Sequence, residues 1–203
     1  MRNKAEQSRK IYNEMAKEYD TSREGRYTIA HRKELLKNIR LQDGETIVDV
    51  ACGNGSLLYD LSHKAAIQAY GIDISENMIA AAQKHYPQFH FTTSARVPLP
   101  FDDSTMDVIS VSCAFHHFED PKAFAKECQR ILKNNGRLYI AEPYFSPIIR
   151  FLANNLLFPF SKSGDVKVYS QRELCAFFEQ VGLTTTTSYR KGTVLFYSGQ
   201  KRS

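Results

Sequence analysis

IVDVACGNG at residues 47–55, followed by YGIDIS at residues 70–75, is the stretch whose reading decides the fold. Each run is apolar and ends at an acid. The first opens into a glycine turn, and the second places Asp73 at its tip. A parallel α/β sheet builds a nucleoside pocket this way, with a tight turn over the ligand and an acid at the end of strand two for a ribose. Gly53 and Gly55 lack a Cβ, so the chain can turn tightly and a ligand can approach its backbone. The free N–H groups at the start of the next helix can hold a carboxylate or phosphate. Read alone, the glycines also fit an ordinary strand-to-helix turn, and Asp73 also fits a helix cap. The dinucleotide fingerprint is incomplete, because Leu58 stands where its third glycine would. That argues against a pyrophosphate and for a ligand with a carboxylate tail. Asp49 lies inside the first apolar run, where a buried acid must be hydrogen-bonded or charge-paired. It could anchor the amides of the glycine loop or reach a ligand amine through water.

The rest of the chain supplies the sheet around this core. Residues 3–19 and 28–39 have helical patterns, with Ile11, Met15 and Tyr19 recurring four apart in the first. Strands are expected at 46–50, 66–72, 89–93, 107–113 and 137–141, separated by helices at 55–63, 76–84 and from Pro121 onward. Ser75 and Asp120 are the expected helix caps, and Asn134-Asn135-Gly136 is read as the stop of the third helix. Ser170-x-x-Glu173 is a capping box for a further helix. Residues 184–190 and 193–199 form a hairpin. This alternation predicts an α/β fold: a single doubly wound, Rossmann-like sheet, mostly parallel, with a C-terminal antiparallel hairpin strand and helices on both faces.

A chain of 203 residues with 42% hydrophobic content supports one core, so one domain over 1–203 is expected. The 27 basic residues stand against 22 acidic ones and are scattered, which argues against nucleic acid as a partner. The four cysteines, at 52, 113, 128 and 175, have neither zinc nor disulfide spacing, so no metal is expected from them. They read as apolar fillers in a reducing compartment. The start MRNKAEQSRK has no apolar stretch behind it, so it is not expected to act as a signal peptide. The apolar run at 148–160 is broken by Arg150, Asn154, Asn155 and Pro159, so no transmembrane segment is expected. The expected location is the cytoplasm.

Four blocks in order resemble the class I S-adenosylmethionine-dependent methyltransferases: VDVACGNGSLL at 48–58, GIDISENMI at 71–79, PLPFDDSTMDVISVSCAFHHF at 98–118 and ILKNNGRLYIAEP at 131–143. The pattern is most similar to the small-molecule branch that includes the ubiquinone and menaquinone biosynthesis methyltransferases. The resemblance implies S-adenosyl-L-methionine as cofactor. It implies backbone at Ala51, Cys52, Gly53 and Asn54 beside the methionine moiety, with Gly55 keeping that wall low. Asp73 takes the ribose hydroxyls, Ile74 packs on the adenine, and Met78 lies at the adenine edge. Ser94, Ala95 and Arg96 stand where relatives commonly carry Asp-Ala-Glu beside the adenine amino group, so adenine reading must differ here. Ser112 and Cys113 border the sulfonium. Asp49 and Tyr19 complete the cofactor set.

The resemblance also places a histidine pair, His116 and His117, at the exit of strand four. Either could act as a base toward an acceptor, and either could instead hold the loop. Tyr12 and Tyr19 belong to an N-terminal helical lid over 1–40, and Tyr12, His117 and Tyr144 form the substrate side. The apolar segment 145–169 reads as a substrate-side cap that could also mediate a dimer, so the chain is expected as a monomer or homodimer. The implied reaction is direct displacement of a methyl group onto a small, partly apolar acceptor. The alternatives are methylation of RNA or protein, a nicotinamide-dependent dehydrogenase on the same kind of sheet, and a non-catalytic nucleoside-binding protein.

Overall fold

A computed structural model describes residues 3–94, 97–161 and 163–202 of the protein. The expected positions Ala95 and Arg96 lie outside the described residues. The first apolar run becomes strand β1, Thr46–Val50, as expected, and the second becomes β2, Gln68–Asp73. Between them lies the short helix α3, Ser56–Ser62; the two N-terminal helices are α1, Lys4–Met15, and α2, Arg23–Asn38. The chain continues through α4, Glu76–His85, β3, His90–Thr93, β4, Met106–Ser112, α5, Pro121–Ile131, and β5, Leu132–Pro143. Helix α6, Pro147–Leu152, starts the cap segment. Helix α7, Gln171–Glu179, then leads into the hairpin of β6, Leu183–Lys191, and β7, Val194–Lys201.

The strands form one sheet in the order β3-β2-β1-β4-β5-β7-β6. Strands β1 to β5 pair in parallel, and β7 runs antiparallel to both of its neighbours, β5 and β6. Because side chains alternate across a strand, adjacent residues feed opposite layers. Val48, Ile109 and Leu138 pack with Phe124 and Cys128 of α5 and Phe178 of α7. Ile47, Val108 and Tyr139 pack with Leu35 of α2, Leu57 and Leu61 of α3 and Ile79 of α4. A strand covered on both faces is nearly apolar throughout, which is why β1 reads as an apolar run interrupted by Asp49.

The expected caps form. Ser75 accepts from the Met78 amide, Asp120 accepts from the Ala123 amide with Pro121 at the first position, and Ser170 and Glu173 cap each other. Several boundaries differ from expectation. Helix α2 starts at Arg23 and not at 28, because Ser22 caps it through the Gly25 amide. Gly25 tolerates this only without a side chain, since a Cβ would lie 1.8 Å from the Tyr19 carbonyl oxygen. Helix α5 stops at Ile131, before the Asn134-Asn135-Gly136 turn. Leu132 already pairs with Met106, and the ladder shifts register before Val108. Asn135, at φ 62°, makes an irregularity within β5, a left-handed conformation that asparagine adopts more readily than most residues. The N-terminal helix also ends sooner than expected and tightens into a 3-10 turn over Ala16–Thr21. Among the described residues no helix is long and apolar enough to cross a membrane.

Gly71 in the middle of β2 is a tight point of the sheet. A Cβ there would meet Phe91 Cδ1 at 2.5 Å and Cys52 Sγ at 2.8 Å. Overpacking of this kind costs about 1–3 kcal/mol. Gly71→Ala should therefore lower the urea midpoint by a corresponding amount, and an unchanged midpoint would contradict this packing.

Candidate functional site

Strands β2 and β4 flank β1 on opposite sides, and the chain leaves in opposite directions from the ends of β1 and β4. This switch point opens a crevice at the carboxyl ends of the strands. A cavity of about 470 Å³ occupies it, within the range usual for small-molecule sites. Ala51 and Gly53 line it from the turn after β1, Asp73 and Ile74 from the end of β2, Met78 from α4, and Ser94 from the end of β3. Ser112 and Cys113 line it from the end of β4. Tyr12 and Tyr19 line it from the N-terminal segment, and His117 from the loop after β4.

The glycine turn has a forced shape. Ala51, Gly53 and Gly55 all have positive φ, at 60°, 53° and 81°. Its ties are the Cys52 amide to the Ile72 carbonyl at 3.0 Å and the Gly53 amide to Asp73 Oδ2 at 2.8 Å. Nothing lies within 4 Å of where a Cβ on Gly53 would stand, so that position faces open space. Gly55 is different, since a Cβ there would lie 2.7 Å from the Phe91 ring. Cys52, Asn54 and Gly55 do not line the cavity. Asn54 instead links the turn to the N-terminal segment: its amide donates to Asp20 at 2.9 Å, and its oxygen accepts from the Ser56 hydroxyl at 2.6 Å.

Asp73 is the electrostatic centre of the cavity. Its Oδ1 accepts from the Ser75 amide at 2.9 Å while Oδ2 accepts from Gly53. An ionised carboxylate offers about four acceptor sites, so lone pairs remain for a ligand. Burial raises its pKa, and the amides of Ser75, Gly53 and Ile74 oppose that rise. Asp49 lies off the cavity. It accepts from Ser110 Oγ at 2.7 Å across the β1–β4 pair, and burial pushes its carboxyl up to about 7. Of the two roles considered for Asp49, the tie to the glycine-loop amides is replaced by this hydroxyl.

The histidine pair divides. His116 does not line the cavity. Its Nδ1 donates to Glu142 Oε2 at 2.8 Å. Glu142, at the end of β5, also accepts from the amides of Ala114, Phe115 and His116, at 2.7, 2.9 and 3.0 Å. Burial lowers the His116 pKa, but the Glu142 carboxylate outweighs it and the net shift is upward. Burial raises that of Glu142, and His116 with the loop amides brings it below the ordinary value. His117 faces the cavity with Nε2 3.3 Å from the Tyr12 hydroxyl. Burial, with His116 beside it, pushes its pKa down to about 4. Tyr144 does not line the cavity: its ring lies under the Arg190 guanidinium, 4.4 Å from the ring centre.

Two residues of this network, Glu142 at the rim end of strand five and Asp165, are given no role by the sequence. Glu142 carries the same signature as Asp73, an apolar strand ending in an acid, in YIAEP. Asp165 lies 3.7 Å from both His116 Nε2 and His117 Nδ1, and nothing around SGD in the sequence marks it.

The methyltransferase domain family matches residues 48–140. The demethylmenaquinone methyltransferase of Chlorobaculum tepidum is 30% identical over 142 residues, covering 66% of this chain and 59% of that protein. The chain thus spans less than two thirds of the length of the first curated relatives it matches. The demethylmenaquinone methyltransferase of Lysinibacillus sphaericus is 25% identical across 98% of this chain and 97% of its own length. Among solved structures, the chain complexed with the Haloferax volcanii Trm112 methyltransferase activator superposes with a TM-score of 0.81. It covers 95% of this chain and 98% of its own at 20% identity, a likeness of fold.

Replacing Glu142 with glutamine keeps its shape, removes its charge and leaves buried loop amides short of acceptors. The expected loss is about 3 kcal/mol. A carboxyl whose folded pKa is depressed stabilises fully above its unfolded pKa, about 4.3. That contribution disappears as acidification passes the folded value. The gap in unfolding free energy between wild type and Glu142→Gln should therefore be widest at neutral pH and close at low pH. A gap independent of pH would contradict the assignment.

Proposed function

We propose that this chain is a class I S-adenosylmethionine-dependent methyltransferase, as its likeness to that family supports, and that it transfers a methyl group to a small, partly apolar acceptor. The observation that carries this reading is the pairing of Asp73 with the open backbone at Gly53 on one cavity wall. The residues fit the cofactor. Asp73 keeps lone pairs for two ribose hydroxyls, Ile74 and Met78 offer an apolar surface for adenine, and Gly53 leaves its side of the turn empty. S-adenosylmethionine, when bound, supplies a methyl group already activated by the charged sulfur.

The protein's part is then positioning and exclusion of water. Ser112 and Cys113 border the reacting end of the cavity. Tyr12 and Tyr19, with ring centres 6.3 Å apart, close it from the N-terminal lid. His117 meets the Tyr12 ring edge-on at 5.9 Å and completes the wall. With its pKa near 4, it is neutral at physiological pH, which suits a wall toward a sulfonium cation. His116 acts through Glu142 to hold the loop that carries His117.

An acceptor of quinol type is favoured by two features. The relatives named above are demethylmenaquinone methyltransferases. The cap also exposes a run of large apolar side chains, with Ile148 76% exposed, Phe151 66% and Phe160 75%. Exposed apolar surface of this extent marks a contact site, and here it suits the approach of an apolar acceptor.

Methyl transfer from labelled S-adenosylmethionine, measured over a demethylated naphthoquinol, simple phenols, tRNA and protein, tests the acceptor. Label should enter the quinol, and transfer confined to RNA or protein would refute the small-molecule reading. Asp73→Asn should weaken S-adenosylhomocysteine binding at least about tenfold, the loss of a charged hydrogen bond. An unchanged dissociation constant would remove Asp73 from the ribose role.

A further inference from the structure

His116, His117 and Asp165 bring three donor atoms together behind the cavity wall. His116 Nε2 and His117 Nδ1 each lie 3.7 Å from the same oxygen, Asp165 Oδ1. One donor atom from each of the three residues lies within 4.8 Å of the others. A contact of 3.7 Å is too long for a hydrogen bond. It is close to the roughly 3.4 Å between neighbouring donors on a tetrahedron with metal–ligand bonds of about 2.1 Å.

The far side of each side chain is already engaged. His116 donates through Nδ1 to Glu142 Oε2 at 2.8 Å, which turns Nε2 inward. His117 meets the Tyr12 hydroxyl through Nε2 at 3.3 Å. Its Nδ1 is buried without a hydrogen-bond partner among the described residues. The Gly164 backbone faces that ring but lacks hydrogen-bonding geometry to Nδ1. Asp165 Oδ2 accepts from Ser163 Oγ at 2.5 Å and also from Ser161 Oγ, leaving Oδ1 for the centre. Metal-binding histidines almost always carry such a partner on the other ring nitrogen, which fixes tautomer and ring orientation.

We propose that His116 Nε2, His117 Nδ1 and Asp165 Oδ1 form a binding site for one divalent cation of the zinc class. Two imidazoles and one carboxylate are donors that zinc accepts readily, and three protein ligands leave a fourth position open. Only His117 of the three lines the cavity, so the ion pins the returning end of the cap to the loop after β4. The backbone there is already stitched in that sense. The amides of Val166 and Lys167 donate to the His116 carbonyl at 2.9 and 3.1 Å, and Gly164 packs so closely that a Cβ would lie 2.0 Å from Ser8 Oγ. The site stands independently of the methyl-transfer reading.

The test uses untagged, full-length protein stripped with a chelator. Zn²⁺ is titrated in competition with a chromophoric chelator, and Co²⁺ binding is followed by visible absorption. Wild type should take up one ion per chain, with the d–d bands of a low-coordinate Co²⁺ site. Asp165→Asn should weaken Zn²⁺ binding about tenfold or more. Failure of the wild type to saturate at one ion per chain would overturn the proposal. So would an Asp165→Asn variant that binds as tightly as wild type, which would place the ion elsewhere and leave the three side chains a metal-free cluster.

Discussion

Buried carboxylates at strand ends, satisfied by backbone N–H groups, are the constraint on which the rest of the structure depends. Asp73 at the end of β2 accepts from Gly53 and Ser75. It therefore fixes the glycine turn after β1 and the start of α4 together. Glu142 at the end of β5 does the same for the loop after β4, through three consecutive amides. A charge in such a place is costly unless fully hydrogen-bonded, so each acid selects one loop conformation. Ala51 and Cys113, both non-glycine residues at positive φ, sit in these two loops. The cavity lies between them.

The two acids differ in what they leave free. Asp73 lines the cavity and retains acceptor capacity toward it. Glu142 is consumed by amides and by His116, so it sets shape and offers nothing to a ligand. Asp49 is a third buried acid on the same sheet, yet its single hydroxyl partner leaves its pKa near 7. Proximity to the crevice is thus not enough to make an acid a ligand group. Orientation across the pleat decides it.

Much of this was legible in the sequence because the sheet core obeys short-range rules. The nearly continuous apolar run at 46–50 reads as a strand buried on both faces. Ser75, Asp120 and Ser170 cap helices through contacts three residues away. Asp73 was legible because strand and turn both point to its end. What the sequence did not disclose depends on distant pairings. The Asn134-Asn135-Gly136 turn reads as a helix stop, but the β4 partner of Leu132 converts it into an irregular strand. Tyr144 sits near the right strand end, yet Arg190 from the hairpin draws its ring away. Asp165 reaches the histidines only because the cap folds back across α1, with Ser8 bonded to the Ser163 carbonyl.

Calorimetric titration of the wild-type chain with S-adenosylhomocysteine and, separately, with NAD tests the central claim most directly. The account predicts saturable binding of S-adenosylhomocysteine at one site per chain and no measurable binding of NAD. The Gly53–Asp73 wall has open backbone and ribose acceptors, but the third glycine of the pyrophosphate turn is absent. Binding of NAD with no binding of S-adenosylhomocysteine would contradict it.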